Sequence, residues 1–216
     1  MKLIETDNNE LERKVFIMSK TFNHAVENRR TYYAIGKEIE VSLDDVKNVV
    51  EHSIKHVPSS FNSQSGRVVV LAGEHHDKLW EIVRETLRKI VPAEAFASTD
   101  EKVNSFKNGF GTILFFEDQA VVQGLQEAFP LYKDNFPLWS TQSSGMLQFT
   151  VWTALEELGL GASLQHYNPL IDAEVHSTWG LPESWKLMSQ MPFGSRLAEP
   201  GEKEFSPLET RVKYFV

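Results

Sequence analysis

Cysteine is absent from the 216 residues, which excludes a disulfide framework, a thiol nucleophile and thiolate metal ligation. Any redox chemistry must then come from a bound cofactor. Cations are in deficit, with 22 Lys and Arg against 30 Asp and Glu and a formal net charge of -8. A binder of phosphate backbones needs a surplus of Lys and Arg, so nucleic acid is excluded as a partner, while a local site for one phosphate stays open. No apolar run approaches the ~20 residues needed to span a bilayer. The first residues alternate in charge where a signal peptide would need an apolar centre. The expectation is a cytoplasmic protein without membrane contact. Also missing are Gly-x-Gly-x-x-Gly, a Walker loop and a Gly-x-Ser-x-Gly elbow, which removes the usual dinucleotide, nucleotide and hydrolase readings.

What is present is the composition of a globular protein, 41% hydrophobic and 24% charged, with enough chain for one large core. Residues 1–18 read as a polar extension and residues 19–216 as a single domain. Phe22, Ala25 and Val26 recur at helical spacing up to Asn28. Ser42 opens a second helix with Asp44 and Asp45 in its first turn, and Pro58 stops it. Val68 to Leu71 reads as a strand, and Leu79, Trp80, Val83, Leu87 and Ile90 as a helix ending before Pro92. Phe96 to Gly111 shows polar and turn residues around single apolar ones, whereas Gly111 to Phe116 is the short apolar run of a central strand. Gln119 to Phe129 is expected to be helical, Pro130 to Pro137 an exposed aromatic loop or lid, and Leu138 to Leu158 the longest helix. Ala162 to Tyr167 re-enters the sheet, Pro169 to Thr178 and Pro182 to Met191 are expected helices opened by proline, and Arg211 to Val216 a terminal strand. Taken alone, the strand–helix alternation suggests a parallel α/β sheet.

Three constellations carry chemistry. Pro58-Ser-Ser-Phe-Asn-Ser-Gln64 runs into a strand and presents Asn62 and Gln64, each with amide donors and an acceptor, to a flat heteroaromatic ligand. Arg29-Arg30-Thr31 supplies two guanidinium forks and a hydroxyl at a helix end, the equipment for a phosphate monoester or a ribityl chain. Gln165, His166 and Tyr167 offer polar groups and backbone amides beside the small-residue bend Gly161-Ala162-Ser163, and Lys203 provides a further cation. Each of these is an ordinary loop or helix end when taken alone. His75-His76 suggests a metal pair only at first sight, since adjacent side chains diverge and no third ligand stands at a useful spacing; it reads as a solvated turn.

In this order, Arg-Arg-Thr, Pro-Ser-Ser-Phe-Asn-Ser-Gln, Gly-Leu-Gly-Ala-Ser and a basic residue before Ser-Pro-Leu-Glu resemble the FMN-dependent nitroreductase family. Leu164 to Pro169 and Phe205 to Glu209 look like its fatty-acid-repression branch. The resemblance runs from about Thr21 to Val216. It implies an α+β fold with a mainly antiparallel central sheet flanked by helices, in a domain-exchanged homodimer with FMN at the subunit interface, and it overrides the parallel sheet. It further implies that Arg29, Arg30, Thr31 and Lys203 bind the FMN phosphate and ribityl chain. Asn62 and Gln64 would bind the ribityl and ring edge, and the amides of Gln165, His166 and Tyr167 would face flavin N5. No side chain is assigned as catalytic and no metal is expected. NADH or NADPH would be the reductant, and nitroaromatics or quinones the acceptors, in a ping-pong cycle. A flavin-binding sensor in a lipid or stress response is the alternative. Two departures stand out. Tyr33 occupies the place where many members set a Lys or Arg against the flavin's pyrimidine side, and Ser65 replaces the proline usual after Asn-x-Gln.

Overall fold

The computed structural model describes residues 22–216; the expected polar extension over 1–18 lies outside them. Seven helices are found among the described residues: α1 Phe22–Asn28, α2 Leu43–His56, α3 Glu74–Arg88, α4 Phe96–Lys107, α5 Gln119–Ala128, α6 Phe136–Glu157 and α7 Asp172–Trp179. The strands are β1 Ile35–Gly36, β2 Gly66–Ala72, β3 Gly111–Asp118, β4 Gly161–Ala162 and β5 Trp185–Arg196. They pair in the order β1-β5-β3-β2, with β4 also on β5, and every ladder is antiparallel. The α+β arrangement implied by the family resemblance is therefore the one observed. Its one parallel contact is an isolated bridge between Thr31 and Ala162.

The sheet is a wall with a core on each side, because side chains alternate along a strand. From β3, Leu114 and Phe116 enter one core with Leu79, Trp80, Val83 and Phe106, while Ile113 and Phe115 enter the other with Val46, Val50, Val151 and Leu155. All eight residues of β3 are buried. Each fully buried Phe there contributes about 1.5–3 kcal/mol of transfer free energy.

Local chemistry sets the element ends. Ser42 and Asp45 form a reciprocal capping box at the start of α2: the Asp45 amide donates to Ser42 Oγ at 3.1 Å, and the Ser42 amide to Asp45 Oδ2 at 2.8 Å. The hydrogen bonds from Ser42 hold the Asp45 carboxyl below its usual range. At the centre of the sheet a Cβ on Gly194 would collide with the Gly36 carbonyl oxygen, so only glycine lets β1 and β5 pair.

Three sequence expectations need correction. Residues Phe96 to Lys107 form a full helix, its apolar Phe96, Val103 and Phe106 buried. Trp185 to Arg196 is a strand and not the helix expected over Pro182 to Met191. Pro182 instead closes a turn, its carbonyl accepting from the Trp185 amide at 3.0 Å. The last residues, from Arg211, form no ladder; they follow a short 3-10 turn at Leu208–Thr210 and are exposed.

Candidate functional site

The loop between α2 and β2 has an uncommon backbone. Phe61, Asn62 and Gln64 sit at φ 57°, 51° and 48°, the left-handed region that costs a non-glycine residue on the order of 1–3 kcal/mol. Local hydrogen bonds hold it there. The Asn62 amide donates to the Ser59 carbonyl at 3.0 Å, the Ser63 amide to the Ser60 carbonyl at 3.1 Å, and the Gln64 amide to Ser59 Oγ at 2.9 Å. The amide side chains of Asn62 and Gln64 are exposed. The same turn thrusts Phe61 against the expected lid. Its ring lies 4.8 Å from Phe129, 5.3 Å from Phe136 and 6.0 Å from Tyr132, and it stacks at 22° on Trp139 at 6.2 Å. Phe61 remains half exposed.

Behind the loop lies a cleft of about 400 Å³, lined among others by Lys55, Gln64, Arg67, Glu117, Ser143 and Leu147. Glu117 is only 2% exposed, and sequence reasoning passed over it. Its Oε2 accepts from Ser65 Oγ and from Ser140 Oγ, both at 2.6 Å. Burial pushes the carboxyl above its usual range, against the pull of the two hydroxyls and Arg67. Beside it, Arg67 donates to the Gln64 carbonyl at 2.7 Å and pairs with Asp118 at 3.0 Å. A Glu-Asp pair straight after an apolar strand was the available signal.

The second group gathers at the other end of α6. Arg29 lies 4.3 Å above the Trp152 ring, and its buried Nε has no hydrogen-bond partner among the described residues. Burial, then neighbouring Arg30, lower its pKa, while Glu156 opposes them. Arg30 reaches the exposed C-terminal segment, donating to the Gly201 carbonyl at 2.5 Å, two positions from Lys203. Tyr32 ties the same segment down, its hydroxyl donating to Glu199 at 3.2 Å while its amide donates to the Ala162 carbonyl at 3.0 Å. Thr31 bridges to Ala162 as well, so residues 30–32, Ala162 at the start of the bend, Glu199 and Gly201 come together. Tyr33 is 54% exposed.

Within the bend the three amides differ. Those of Gln165 and Tyr167 are spent on the Gln190 carbonyl and side-chain oxygen, both at 2.7 Å. His166 is exposed, and no partner for its amide is found among the described residues. Burial pushes the Tyr167 hydroxyl up to about 12, so it stays protonated near neutrality. His76 corrects the expectation of a solvated turn. It is 1% exposed, its Nδ1 at 2.9 Å from Thr112 Oγ1 and its Nε2 at 3.1 Å from the Lys107 carbonyl oxygen.

The two groups do not meet within one chain. Phe61 stacks on Trp139 and Arg29 on Trp152, thirteen residues apart on one helix, or roughly 20 Å at 1.5 Å per residue. Each group nonetheless suits one part of FMN. Arg29 with its orphaned buried Nε, Arg30 held by a single carbonyl, and Lys203 are donors for a phosphate. Exposed amides beside an aromatic cluster suit a flat ring.

Comparison with known proteins gives concordant findings. The model of the Nitroreductase family matches residues 26–195. The nitroreductase FRM2 of Saccharomyces cerevisiae is 36% identical over 193 residues, covering 87% of this chain and 95% of its own. The structure of the nitroreductase CinD of Lactococcus lactis in complex with chloramphenicol is 50% identical, with TM-score 0.83 over 90% of this chain and all of that one. The same protein is known in complex with 4-nitrophenol. A Desulfovibrio desulfuricans structure in complex with FMN, at 17% identity, shares the fold with TM-score 0.65 over 92% of this chain and 98% of its own.

Proposed function

The chain belongs to the nitroreductase family, whose members are oxidoreductases, and on that premise we propose that it is an FMN-dependent enzyme passing electrons from NADH or NADPH to nitroaromatic or quinone acceptors. The observation that carries this reading is that Arg29, with its buried and unpartnered Nε, Arg30 and Thr31 form a phosphate-type donor group, while the exposed amides of Asn62 and Gln64 form a ring-type one. Bound FMN would supply the two-electron chemistry between the nicotinamide and an acceptor entering the same place, in a ping-pong cycle.

The chain's own residues bind, orient and exclude water. Arg29, Arg30, Thr31 and Lys203 neutralise and hold the phosphate and ribityl chain. Asn62 and Gln64 form hydrogen bonds to the ribityl and ring edge; the His166 amide, alone uncommitted among the three of its bend, donates toward the reacting edge of the ring. Gln165 and Tyr167 act by fixing that bend. Tyr33 would bring a phenol and no positive charge to the pyrimidine side. The rings of Phe61, Phe129, Tyr132 and Trp139 form an apolar wall for a flat acceptor. CinD, at 50% identity, binds chloramphenicol and 4-nitrophenol, both nitroaromatic, which supports the acceptor class. Because the two groups stand apart in one chain, a homodimer completes the site, one subunit giving Arg29 to Thr31 and its partner the Asn62 loop.

The test is the visible spectrum of the purified protein before and after anaerobic addition of NADH or NADPH. Flavin bands that bleach with a nicotinamide and return with 4-nitrophenol or a quinone support the enzyme, and Arg30→Ala should purify largely without flavin. Bound flavin that neither nicotinamide bleaches would favour the sensor; no flavin bound after adding FMN would end the reading of the site.

A further inference from the structure

We propose that Glu117 is a positioning residue, fixing through Ser65 and Ser140 the left-handed course of the loop that carries Asn62 and Gln64. The inference rests on the reading above only in assigning that loop to the flavin. Three non-glycine residues in the left-handed region persist only where their surroundings over-determine them. The hydrogen bonds within the turn reach back only to Ser59 and Ser60 and leave its exit into β2 free.

The exit is fixed from the end of β3. Ser65 is held at two atoms: its hydroxyl donates to Glu117 Oε2 at 2.6 Å, and its carbonyl accepts from the Asp118 amide at 2.9 Å. Arg67 links Asp118 to the Gln64 carbonyl, bracing the residue before Ser65. The same Glu117 oxygen takes the Ser140 hydroxyl from the first turns of α6, the helix whose Phe136 and Trp139 pack on Phe61. One carboxylate oxygen thus joins the loop, the strand and the helix beneath the lid.

A carboxyl group in this position is costly as core filling, since burial disfavours its charge and an apolar side chain would pack as well. The charges that act on it are Arg67 from β2 and Asp118 from β3, Lys186 of β5 is its register partner, and Lys55 of α2 lines the same cleft; the groups bonded to it from α6 and the loop are hydroxyls. Ser65 gains meaning here. A proline at that position would fix φ covalently, whereas serine leaves it free and the hydrogen bond to Glu117 supplies the restraint.

The experiment compares Glu117→Leu, Glu117→Gln and Ser65→Ala by hydrogen exchange of the Asn62 and Gln64 amides without FMN, and by FMN titration. Both amides are hydrogen-bonded in the wild type and should be protected. Glu117→Leu is expected to speed their exchange at least tenfold and weaken FMN binding about tenfold, with a melting temperature lowered by only a few degrees as the buried Ser65 hydroxyl loses its acceptor. Glu117→Gln keeps an acceptor oxygen and should retain both properties within about twofold, and Ser65→Ala should fall between. Unchanged exchange in Glu117→Leu, or an equal loss in Glu117→Gln, overturns the proposal. Should Glu117→Leu fail to fold, Ser65→Ala decides, and unchanged exchange there overturns it as well. A wild type that binds no FMN would defeat the functional reading, while the exchange rates would still decide whether Glu117 holds the loop.

Discussion

Asn62 shows most directly how conformation and binding are balanced in single residues. Asparagine tolerates the left-handed region better than most residues but less well than glycine. Asn62→Gly should therefore shift stability by less than about 1 kcal/mol, the gain in the folded turn offsetting the greater freedom of the unfolded chain. FMN affinity should fall about tenfold, the worth of one or two net hydrogen bonds. Thermal melting and flavin titration of the same sample check both halves, and a variant that binds FMN like the wild type removes Asn62 from the site. The sequence showed this residue because its amide stands in a recognisable polar loop. It hid Glu117, since a carboxylate at a strand end ordinarily faces solvent and only the packing of Ser65 and Ser140 against it shows otherwise. His76 was misread for a related reason. Helix α3 begins at Glu74, before its apolar periodicity is evident, and directs His76 toward Thr112 on β3.

At the scale of elements, α6 is the organising piece, 22 residues long and apolar on more than one side. One side is covered by β3 and α2. Another leaves Met146 and Phe149 exposed at 43% and 39%, on a groove of about 570 Å³ shared with Val49 and Val57 of the α2 segment. This groove is the surface that the proposed dimer would bury. Replacing both Met146 and Phe149 by Glu should leave the monomer folded, because neither belongs to a buried core, and should yield monomers by light scattering that no longer retain FMN. A doubly substituted protein that stays dimeric and yellow would place the interface elsewhere. Periodicity identified α6 to within two residues at its start, whereas β5 was mistaken for a helix. Its residues are buried on both faces in the middle of the sheet and show no alternation.

For the whole molecule, the C-terminal segment is the part left without a covering layer. Phe205, Leu208, Tyr214 and Phe215 are 68–94% exposed, and the segment's attachments to the body lie earlier, at Glu199 and Gly201. Deleting residues 204–216 should thus leave the melting of the folded body nearly unchanged but weaken self-association at least tenfold in sedimentation, if these apolar side chains lie across a second copy. Equal association would mean that the segment covers nothing in the dimer. By itself the sequence determined the ends of α2, through the Ser42 cap and Pro58, the stop of α3 before Pro92, and the apolar content of α2, α3, α6 and β3. It also supplied the residue types of the proposed phosphate and ring donors, since these are properties of neighbouring residues. The antiparallel sheet was legible only through the family resemblance, and tertiary structure alone decided that β5 lies at its centre, that Glu117 holds the loop, and that the two donor groups stand at opposite ends of α6. Each of these depends on pairing between segments far apart in the chain, which no local pattern of side chains specifies.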